Sequence, residues 1–320
     1  MALISNSTYK APFWLSNGHF ETIYPALFRS VKIDIPRTSH TIHTQDDDFF
    51  DLDLYDINSN KTVIISHGLE GNSQRPYMLG MAHRFLKSGW NAISWNYRGC
   101  NGKMNNSIRS YHSGFTDDLA EVIKFALKPQ IEQLVLVGFS LGGNITLRYL
   151  GGNGQVSDKV KAAVAFSVPV DLHQGCVKIS KPSNTIYSKR FLKTLKQKVR
   201  DKAIKYPELD LKPLKGIKGL MEFDDLYTAP IHGFKDALDY YTKCSSIHIL
   251  ENIKVPTLIV NALNDPFLPE QCYPYKEVSE HKYVHLETPS RGGHVGFAHH
   301  NGSEHYWSEN RSLEFVEKMI

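Results

Sequence analysis

Residues 134–144 are Leu134-Val-Leu-Val-Gly-Phe-Ser140-Leu-Gly-Gly-Asn144, an apolar run that leads into a Gly-x-Ser-x-Gly motif. The residues that follow, Ile145-Thr-Leu-Arg-Tyr-Leu150, are typical of a helix. A sharp turn between a buried strand and a helix would hold the serine in a strained conformation and expose its hydroxyl group. Only glycines at the flanking positions would let the neighbouring backbone approach closely enough. The context therefore predicts that Ser140 is a nucleophile rather than an ordinary turn residue.

A nucleophilic serine needs a base and a group that orients the base, and both are expected later in the chain. The segment 257–263 is typical of a buried parallel strand, and Asp265 follows it at the sheet edge where catalytic groups gather. His294 lies in a glycine-lined segment after another short strand-like run. We expect His294 to be the base and Asp265 to fix its tautomer and stabilise the imidazolium ion. Asp171, which follows the apolar run 162–168, is the alternative acid.

The oxyanion hole requires two backbone N–H groups aimed at the developing negative charge. The amide of Leu141, directly after the nucleophile, is expected to be the first. The second is expected from the loop after the predicted strand Lys61–Ser66, where the amide of Leu69 follows a His-Gly pair. Glycine at this position lets the chain turn and expose an amide. The ring of His67 itself is expected to bind backbone and to take no part in the chemistry.

Seven short motifs are spread along the chain, and their joint occurrence is far more specific than any one of them. They are His67-Gly-Leu-Glu-Gly71, Asn96-Tyr-Arg-Gly-Cys100, Tyr111-His-Ser-Gly114, Gly138-Phe-Ser-Leu-Gly-Gly143, Phe223-Asp-Asp-Leu-Tyr-Thr-Ala-Pro230, Asn264-Asp-Pro-Phe267 and Gly292-Gly-His-Val-Gly-Phe297. Together they resemble the YheT-like branch of the α/β-hydrolase superfamily, over about Pro12 to Phe297. The resemblance implies an α/β-hydrolase fold and serine ester hydrolysis by the three side chains proposed above. It also suggests that Arg98 and His112 shape the site.

Alternating apolar runs and helix-like segments predict a mostly parallel sheet flanked by helices. Thr44–Asp56 is expected to form antiparallel edge strands. The other predicted strands are Lys61–Ser66, Asn91–Asn96, Leu134–Val137, Ala162–Val168, Thr257–Ala262 and Tyr283–Leu286, and the predicted helices are Pro76–Lys87, Thr116–Leu127, Asn144–Leu150 and Phe234–Lys243. Residues 173–230 separate two core strands by far more than an ordinary connection. They are therefore expected to form an inserted helical cap, or lid, on a core domain of residues 1–172 and 231–320.

The predicted cap is strongly basic. Between Cys176 and Lys218 there are 13 Lys and Arg residues against 3 Asp and Glu residues, whereas the whole chain has a net charge of +4. The apolar residues at helical spacing are Tyr187, Phe191, Leu192, Leu195 and Val199, and the basic residues between them include Lys189, Arg190, Lys193, Lys196 and Lys198. We expect the apolar stripe to face inward, with Tyr187 and Phe191 binding the acyl group, and the lysines to face water.

The charge of the cap has two interpretations. A basic amphipathic helix can lie on an anionic membrane surface, but no Trp or second anchoring signal accompanies this one, so a solvated cap helix is favoured. Nucleic acid is not expected as a partner, because the basic stretch lacks a known binding fold or interleaved aromatic residues. No apolar run is long enough to span a bilayer and the N-terminus lacks a signal-peptide pattern, so a cytoplasmic protein is expected. The oligomeric state stays open.

Neither a cofactor nor a metal is expected. Cys100, Cys176, Cys244 and Cys272 are scattered, without the spacing of a zinc site or a disulfide framework. The histidines near the C-terminus that suggest a metal site are His294, His299, His300 and His305. They lack a His-Glu-x-x-His frame, so an exposed loop is the better explanation.

These observations predict a serine carboxylic ester hydrolase that works by two-step acyl transfer through an acyl-enzyme. The resemblance favours short-chain or acylglycerol-type esters as the small-molecule substrates. Two other functions stay open: an acyltransferase that passes the same acyl group to an alcohol other than water, and a catalytically silent scaffold with this fold. A serine nucleophile argues against a dehalogenase, which would need a carboxylate at that position.

Overall fold

A nine-stranded, mostly parallel sheet forms the centre of the protein, whose computed structural model describes residues 2–152, 154–299 and 304–320. The strands are β1 (Leu3–Ile4), β2 (Arg37–His43), β3 (Phe49–Tyr55), β4 (Lys61–Ser66), β5 (Asn91–Trp95), β6 (Gln133–Phe139), β7 (Val160–Phe166), β8 (Thr257–Val260) and β9 (Val284–Glu287). Their order is β1-β9-β8-β7-β6-β4-β5-β3-β2. Among the described strands, the pairs β2–β3 and β3–β5 are antiparallel, and the other pairs are parallel. The predicted mostly parallel sheet is therefore confirmed.

Helices cover both faces of this sheet. They are α1 (Gly18–Phe28), α2 (Pro76–Leu86), α3 (Asp117–Ala126), α4 (Leu141–Gly151), α5 (Leu172–Ile179), α6 (Thr185–Lys205), α7 (Leu220–Phe223), α8 (Ala229–Ile231), α9 (Ala237–Cys244), α10 (Tyr275–Val278) and α11 (Trp307–Met319). Ile64 of β4 packs into one apolar core with α3 and α4, and its neighbours Val63 and Ile65 pack into another with α2 and α11. Because successive strand residues point to opposite faces, a continuously apolar strand can fill both cores. Within the described residues, no helix has the length and apolar character needed to cross a membrane.

The edge strands and several helix boundaries differ from the sequence prediction. The strand β2 lies earlier than the predicted range, and residues Thr44 to Asp48 form the turn into β3, closed by a hydrogen bond from the Thr44 amide to the Asp48 carbonyl. This strand was missed because it carries one large apolar residue, Ile42, and is largely exposed. The helix α4 starts at Leu141, three residues earlier than predicted, since the glycines that follow are accommodated by close packing.

Helices α5 to α9 lie between β7 and β8 and contain an apolar cluster of their own. The cluster includes Leu192 and Val199 of α6, and Phe267 from the core contributes to it. It also extends to Cys244 of α9, beyond the predicted cap boundary at Pro230. The inserted segment is thus largely helical, while its division from the core as a separate cap stays a prediction.

Candidate active site

Ser140 occupies a strained turn between β6 and α4. Its backbone has φ of 53° and ψ of −118°, in a region that residues with a side chain rarely adopt. A Cβ atom at Gly138 would lie 2.4 Å from the carbonyl oxygen of Gly142, and one at Gly142 would lie 2.5 Å from the carbonyl oxygen of His67. Both glycines of the motif are therefore required by the close approach of backbone around the turn.

Asp265, His294 and Ser140 form a continuous chain of hydrogen bonds. The Nδ1 atom of His294 lies 2.9 Å from Oδ2 of Asp265, and its Nε2 atom lies 2.9 Å from Oγ of Ser140. The Asp265 side chain is fully buried, and its Oδ1 atom also accepts a hydrogen bond from the Phe267 amide. With a proton on Nδ1, the imidazole would donate to Asp265 and leave Nε2 free to accept the serine proton. The structure thus brings the three predicted residues together in the order that a catalytic triad requires.

Asp171, the alternative acid, is occupied elsewhere. It is the N-cap of α5, and its side chain accepts a hydrogen bond from the Gln174 amide at 3.0 Å. This contact satisfies one of the free N–H groups at the start of the helix. The imidazole of His294 contacts Asp265 instead.

The two predicted oxyanion-hole residues lie on either side of the serine. Leu141 is the first residue of α4, so its N–H group has no acceptor within the helix. Leu69 lies in a tight turn that is closed by a hydrogen bond from the Gly71 amide to the Gly68 carbonyl. A Cβ atom at Gly68 would lie 3.3 Å from Cβ of Ser140, so this loop passes directly beside the serine. Both leucines line the cavity that contains the serine hydroxyl.

The imidazole of His67 is fully buried and binds backbone on both sides. Its Nδ1 atom lies 2.7 Å from the Gly68 carbonyl, and its Nε2 atom accepts from the Tyr97 amide at 3.2 Å. Burial lowers the pKa of His67 to about 3, so the ring is neutral. It therefore holds the loop of Leu69 against the strand ends.

The loop that carries His294 is held by α1, a helix that the sequence analysis did not assign. The carboxylate of Glu21, which is 1% exposed, accepts hydrogen bonds from the Gly292 amide and the Asn264 side chain, each at 2.7 Å. The Thr22 hydroxyl accepts from the amide of His294 at 2.8 Å. These contacts fix the two loops that carry the base and the acid relative to each other. The one sequence signal for α1 is an N-cap asparagine followed by an acidic residue in the first turn.

Two cavities meet at the serine. One has a volume of about 140 Å³ and is lined mostly by apolar residues of α5, α6, α9 and the core, and the other has a volume of about 450 Å³ and extends along α1 and α6. Ser140 and His294 line both cavities, as do Leu69, Phe191 and Phe267. Ser140 and His294 therefore lie at the junction between a small chamber and a large one.

The two predicted substrate-binding residues lie at this junction or beside it. Phe191 lines both cavities, whereas Tyr187 lines the larger one, where its hydroxyl lies 3.1 Å from Nδ1 of His19. Leu195 of the same helix lines the smaller cavity. The predicted inward orientation of the apolar stripe is therefore observed at these positions.

The expectation that the cap lysines face water is wrong for part of α6. The Nζ atom of Lys198 lies 2.7 Å from the Glu70 carboxylate and 3.0 Å from Sγ of Cys100, and that of Lys196 donates to the Ile217 carbonyl at 2.7 Å. These side chains turn back because acceptors lie under the helix, which a helical pattern of charges does not reveal. The basic residues of α6 that remain exposed include Lys189, Arg190 and Lys193.

Lys202 lies on the same side of α6 and is 3% exposed. Its ammonium group donates to the carbonyl oxygens of Ser107 and Arg109. Burial lowers the pKa of Lys202 to about 8, although the charge of Asp48 opposes the shift. The helix α6 is thus attached to the core by the side chains of Lys198 and Lys202.

Arg98 and His112, which the resemblance associates with the site, have different surroundings. Arg98 is buried and forms ion pairs with three carboxylates, those of Asp46, Asp48 and Asp118. It therefore ties the chain around β3 to α3. His112 lines the smaller cavity, and burial lowers its pKa to about 3, so it presents a neutral ring there.

Of the C-terminal histidine cluster, His294 belongs to the hydrogen-bond chain above, and His300 lies outside the described residues. In the parts of the chain that the structure describes, His305 lies near His83 and Glu304, and their ligand atoms are all within 4.8 Å of one another. This spacing is short enough to hold a metal ion, but Glu304 is exposed, and exposed acidic groups at such spacing are common. The absence of a metal or cofactor requirement stays a prediction.

Comparisons with known proteins agree with this geometry. A model of the alpha/beta hydrolase fold matches residues 61–300. The chain is 35% identical over 290 residues to "Putative esterase YheT" of Escherichia coli, covering 88% of this chain and 84% of that protein. It is 29% identical over 338 residues to "Phospholipase ABHD3" of Homo sapiens, covering 99% of this chain and 80% of that protein. A solved esterase from Pyrococcus furiosus superposes with a TM-score of 0.61 at 18% identity, over 91% of this chain and 96% of the other.

Proposed function

The chain belongs to the alpha/beta hydrolase family, as the resemblance implied, and we propose that it is a serine carboxylic ester hydrolase that works through an acyl-enzyme. The predicted fold class is confirmed, and the relatives named as an esterase and a phospholipase support a hydrolase of the esterase or lipase type. One observation carries the finer proposal: the hydrogen-bond chain from Asp265 through His294 to Ser140, at the end of a parallel strand.

The proposed reaction has two steps. The Nε2 atom of His294 takes the hydroxyl proton of Ser140 as its oxygen attacks the ester carbonyl, and the amides of Leu69 and Leu141 stabilise the tetrahedral oxyanion. The imidazolium then gives its proton to the leaving alkoxide, so that the alcohol departs and the acyl group stays on the serine. In the second step the same imidazole takes a proton from water as the water oxygen attacks the acyl carbon, and the imidazolium then returns this proton to Oγ of Ser140 as the ester bond to the serine breaks and the acid leaves. Asp265 keeps the tautomer and stabilises the positive ring in both steps.

The surroundings of the base support this role. The His294 side chain is 10% exposed, and the ring of Phe267 lies over it with the ring centres 4.0 Å apart. Because water is largely kept away, the attraction between the imidazolium ion and the buried carboxylate is stronger than it would be in solvent. The site is thus suited to stabilise charge that appears only during the reaction.

The two cavities support a division of the ester between them. We assign the acyl group to the smaller cavity, because its walls are mostly apolar and its volume of about 140 Å³ is close to that of cavities that hold a benzene ring. The larger cavity, of about 450 Å³, would hold the alcohol part. This arrangement favours short acyl chains and leaves room for a bulky alcohol such as an acylated glycerol.

The test is hydrolysis of p-nitrophenyl esters from acetate to palmitate, combined with mass spectrometry of the enzyme quenched during turnover. The proposal expects the highest kcat/KM for acyl chains of about six carbons, and a mass increase equal to the acyl group on the peptide that contains Ser140. Turnover without acylation of that peptide would contradict the acyl-enzyme mechanism.

Acyl transfer to an alcohol is the second candidate, since the larger cavity reaches Ser140 and has room for an alcohol acceptor. Product analysis with added alcohols separates the two, because a transferase would form a new ester faster than the free acid. The silent-scaffold alternative would be favoured if no ester were hydrolysed and a fluorophosphonate probe failed to label the serine.

A further inference from the structure

Three of the seven motifs have no role in the proposed reaction, and two of these reach the wall of the smaller cavity. They are Tyr111–Gly114 and Phe223–Pro230, and they contribute His112, Ser113, Asp224 and Thr228 to that wall. The hydroxyl of Tyr240 joins the first of these motifs to α9 by a hydrogen bond of 2.9 Å to Ser113. The acyl cavity therefore has a polar region within an otherwise apolar wall.

Asp224 is the charged group of this region. It begins a π-helical turn, Asp224–Thr228, a rare conformation that is frequent at functional sites. Its carboxylate accepts hydrogen bonds from the Thr228 and Tyr241 hydroxyls, each at 2.5 Å. A carboxylate can accept about four hydrogen bonds, so two positions remain for another donor. A donor on a molecule inside the cavity can reach them.

Within the described residues, no ion pair joins Asp224 to a lysine, arginine or histidine side chain. Burial raises its pKa to about 6, with the two hydroxyl donors opposing the shift, so the group stays mostly ionised at neutral pH. A carboxylate that lines a cleft and whose pKa is raised by desolvation is a candidate functional group.

We propose that Asp224 is a specificity residue that accepts a hydrogen bond from a hydroxyl group on the acyl chain of the substrate. The inference rests on the proposed function, because it assigns the acyl group to the smaller cavity. A hydroxyl needs one acceptor, which this carboxylate supplies, whereas an ammonium group needs three. The substrate class is therefore an ester of a hydroxylated short-chain acid rather than of a plain fatty acid.

The test compares two esters of nearly equal size, p-nitrophenyl 6-hydroxyhexanoate and p-nitrophenyl heptanoate. Wild type should prefer the hydroxylated ester by at least about tenfold in kcat/KM, since a site built around a hydrogen bond rejects the analogue that lacks it. Asp224→Leu should reverse this preference. Asp224→Asn, which keeps the shape and an acceptor oxygen, should retain part of it, and Asp225→Asn is the matched control at the exposed neighbouring acid.

The acetate ester carries no hydroxyl group that Asp224 could accept a hydrogen bond from, and it serves as the reference for the basic reaction. If acetate is hydrolysed but the ratio of the two longer esters is the same in wild type and Asp224→Leu, the specificity proposal is overturned and the proposed function stands. If no ester is hydrolysed and the fluorophosphonate probe does not label Ser140, both are overturned. The asparagine variant keeps the test decisive if the leucine variant fails to fold.

A second, independent observation concerns the outer surface. Large apolar side chains are exposed on α1 and the segment before it. We call this the aromatic surface; its members are Phe13, Trp14, Phe20, Leu27 and Phe28, which are between 46% and 78% exposed. Soluble monomers rarely expose so many large apolar side chains in one short segment, and such surfaces mark interaction sites.

This surface borders the larger cavity and the basic helix. Leu27 lines that cavity together with Ile186 and Arg190 of α6, and both of these residues are exposed. Lys189 and Lys193 continue the basic face of the helix. Trp14 and its neighbours therefore supply the second anchoring signal that the basic helix lacks in its own sequence.

We infer that the aromatic surface and the basic face of α6 together bind a bilayer that contains anionic lipid. Aromatic side chains favour the membrane–water interface, and lysine and arginine side chains near an anionic surface are attracted to it. A bilayer fits better than a protein partner, because Leu27 and Arg190 place this surface at the border of the larger cavity, through which an apolar ester would enter.

The test is sedimentation with vesicles of phosphatidylcholine, with and without 30% phosphatidylglycerol. Wild type should bind the anionic vesicles and lose binding in high salt, and Leu27→Ser combined with Phe28→Ser should weaken binding by about tenfold or more. Leu238→Ser, at an exposed leucine of α9, is the matched control and should bind normally. Unchanged binding of the double variant would overturn the inference. So would a wild-type dimer that dissociates in the double variant, because a second copy would then cover the surface.

Discussion

The sheet edge that carries the serine and the helical segment above it are held by different kinds of interaction. At the edge, Ser140 and Leu141 are positioned by backbone: a strained turn, glycines in close contact and the start of a helix. In the helical segment, α6 is positioned by long side chains, such as Lys198 and Lys202, that reach acceptors far away in the chain. Local sequence therefore determines the first region, whereas the second depends on tertiary contacts.

The largest expected effect is at the edge, for Ser140→Ala. It should reduce kcat by about six orders of magnitude, as loss of a catalytic serine does in other hydrolases. The thermal midpoint should change little, because the hydroxyl lies in a cavity and its removal leaves no void in the core. Ester hydrolysis and fluorophosphonate labelling measure the loss. Labelling that persists in the variant would show that another residue is the nucleophile.

The next effect distinguishes the two candidate acids. Asp265→Asn should lower kcat by about four orders of magnitude, because an amide favours the wrong imidazole tautomer. Asp171→Asn should change it by no more than a few fold, since asparagine is an equally good N-cap for α5. Rates of the two variants with one ester provide the measurement. A larger loss in Asp171→Asn would place the acid on the earlier strand.

The difference between these two regions also explains which features could be predicted from the sequence and which could not. The residues of the hydrogen-bond chain were predictable because each follows a buried strand within a short motif, and the carboxyl ends of parallel strands meet at one edge of the sheet. The helix α1 was missed, since Pro25 in its interior argues against a helix, and the contacts of Glu21 lie more than 240 residues along the chain. The burial of Lys198 was missed for the same reason, because its acceptors are in distant loops.

A third prediction concerns the buried lysine of α6. The pKa of Lys202 is about 8 in the folded protein and 10.5 for an ordinary lysine in the unfolded chain. Between these two pH values the unfolded chain therefore binds more protons than the folded protein does. The free energy of unfolding should therefore rise as the pH increases from 8 to 10.5, by up to about 3 kcal/mol from this group. Below pH 8 the buried ammonium group of Lys202 lowers the free energy of unfolding by the full amount. Lys202→Met should remove this part of the pH dependence.

Urea unfolding between pH 7 and 10.5 measures the effect as the difference between wild type and Lys202→Met. Lys193→Met, at an exposed lysine of the same helix, is the control and should keep the wild-type slope. Equal slopes in all three proteins would show that Lys202 is not desolvated. The attachment of α6 to the core would then resemble an ordinary solvated surface.

The smallest expected effect tests the junction of the two cavities. Phe191 lines both, so Phe191→Ala should enlarge the acyl chamber toward the larger one and shift the preferred ester to longer chains. A change of this size in an apolar pocket should alter the ratio of long to short esters by about tenfold, which corresponds to about 1.4 kcal/mol. Reactivity of Ser140 toward a small fluorophosphonate should stay the same, because the hydrogen bonds of His294 are not altered. Lys193→Ala is the control and should leave the ester profile unchanged. An unchanged profile in Phe191→Ala would show that the apolar stripe of α6 does not line the acyl pocket.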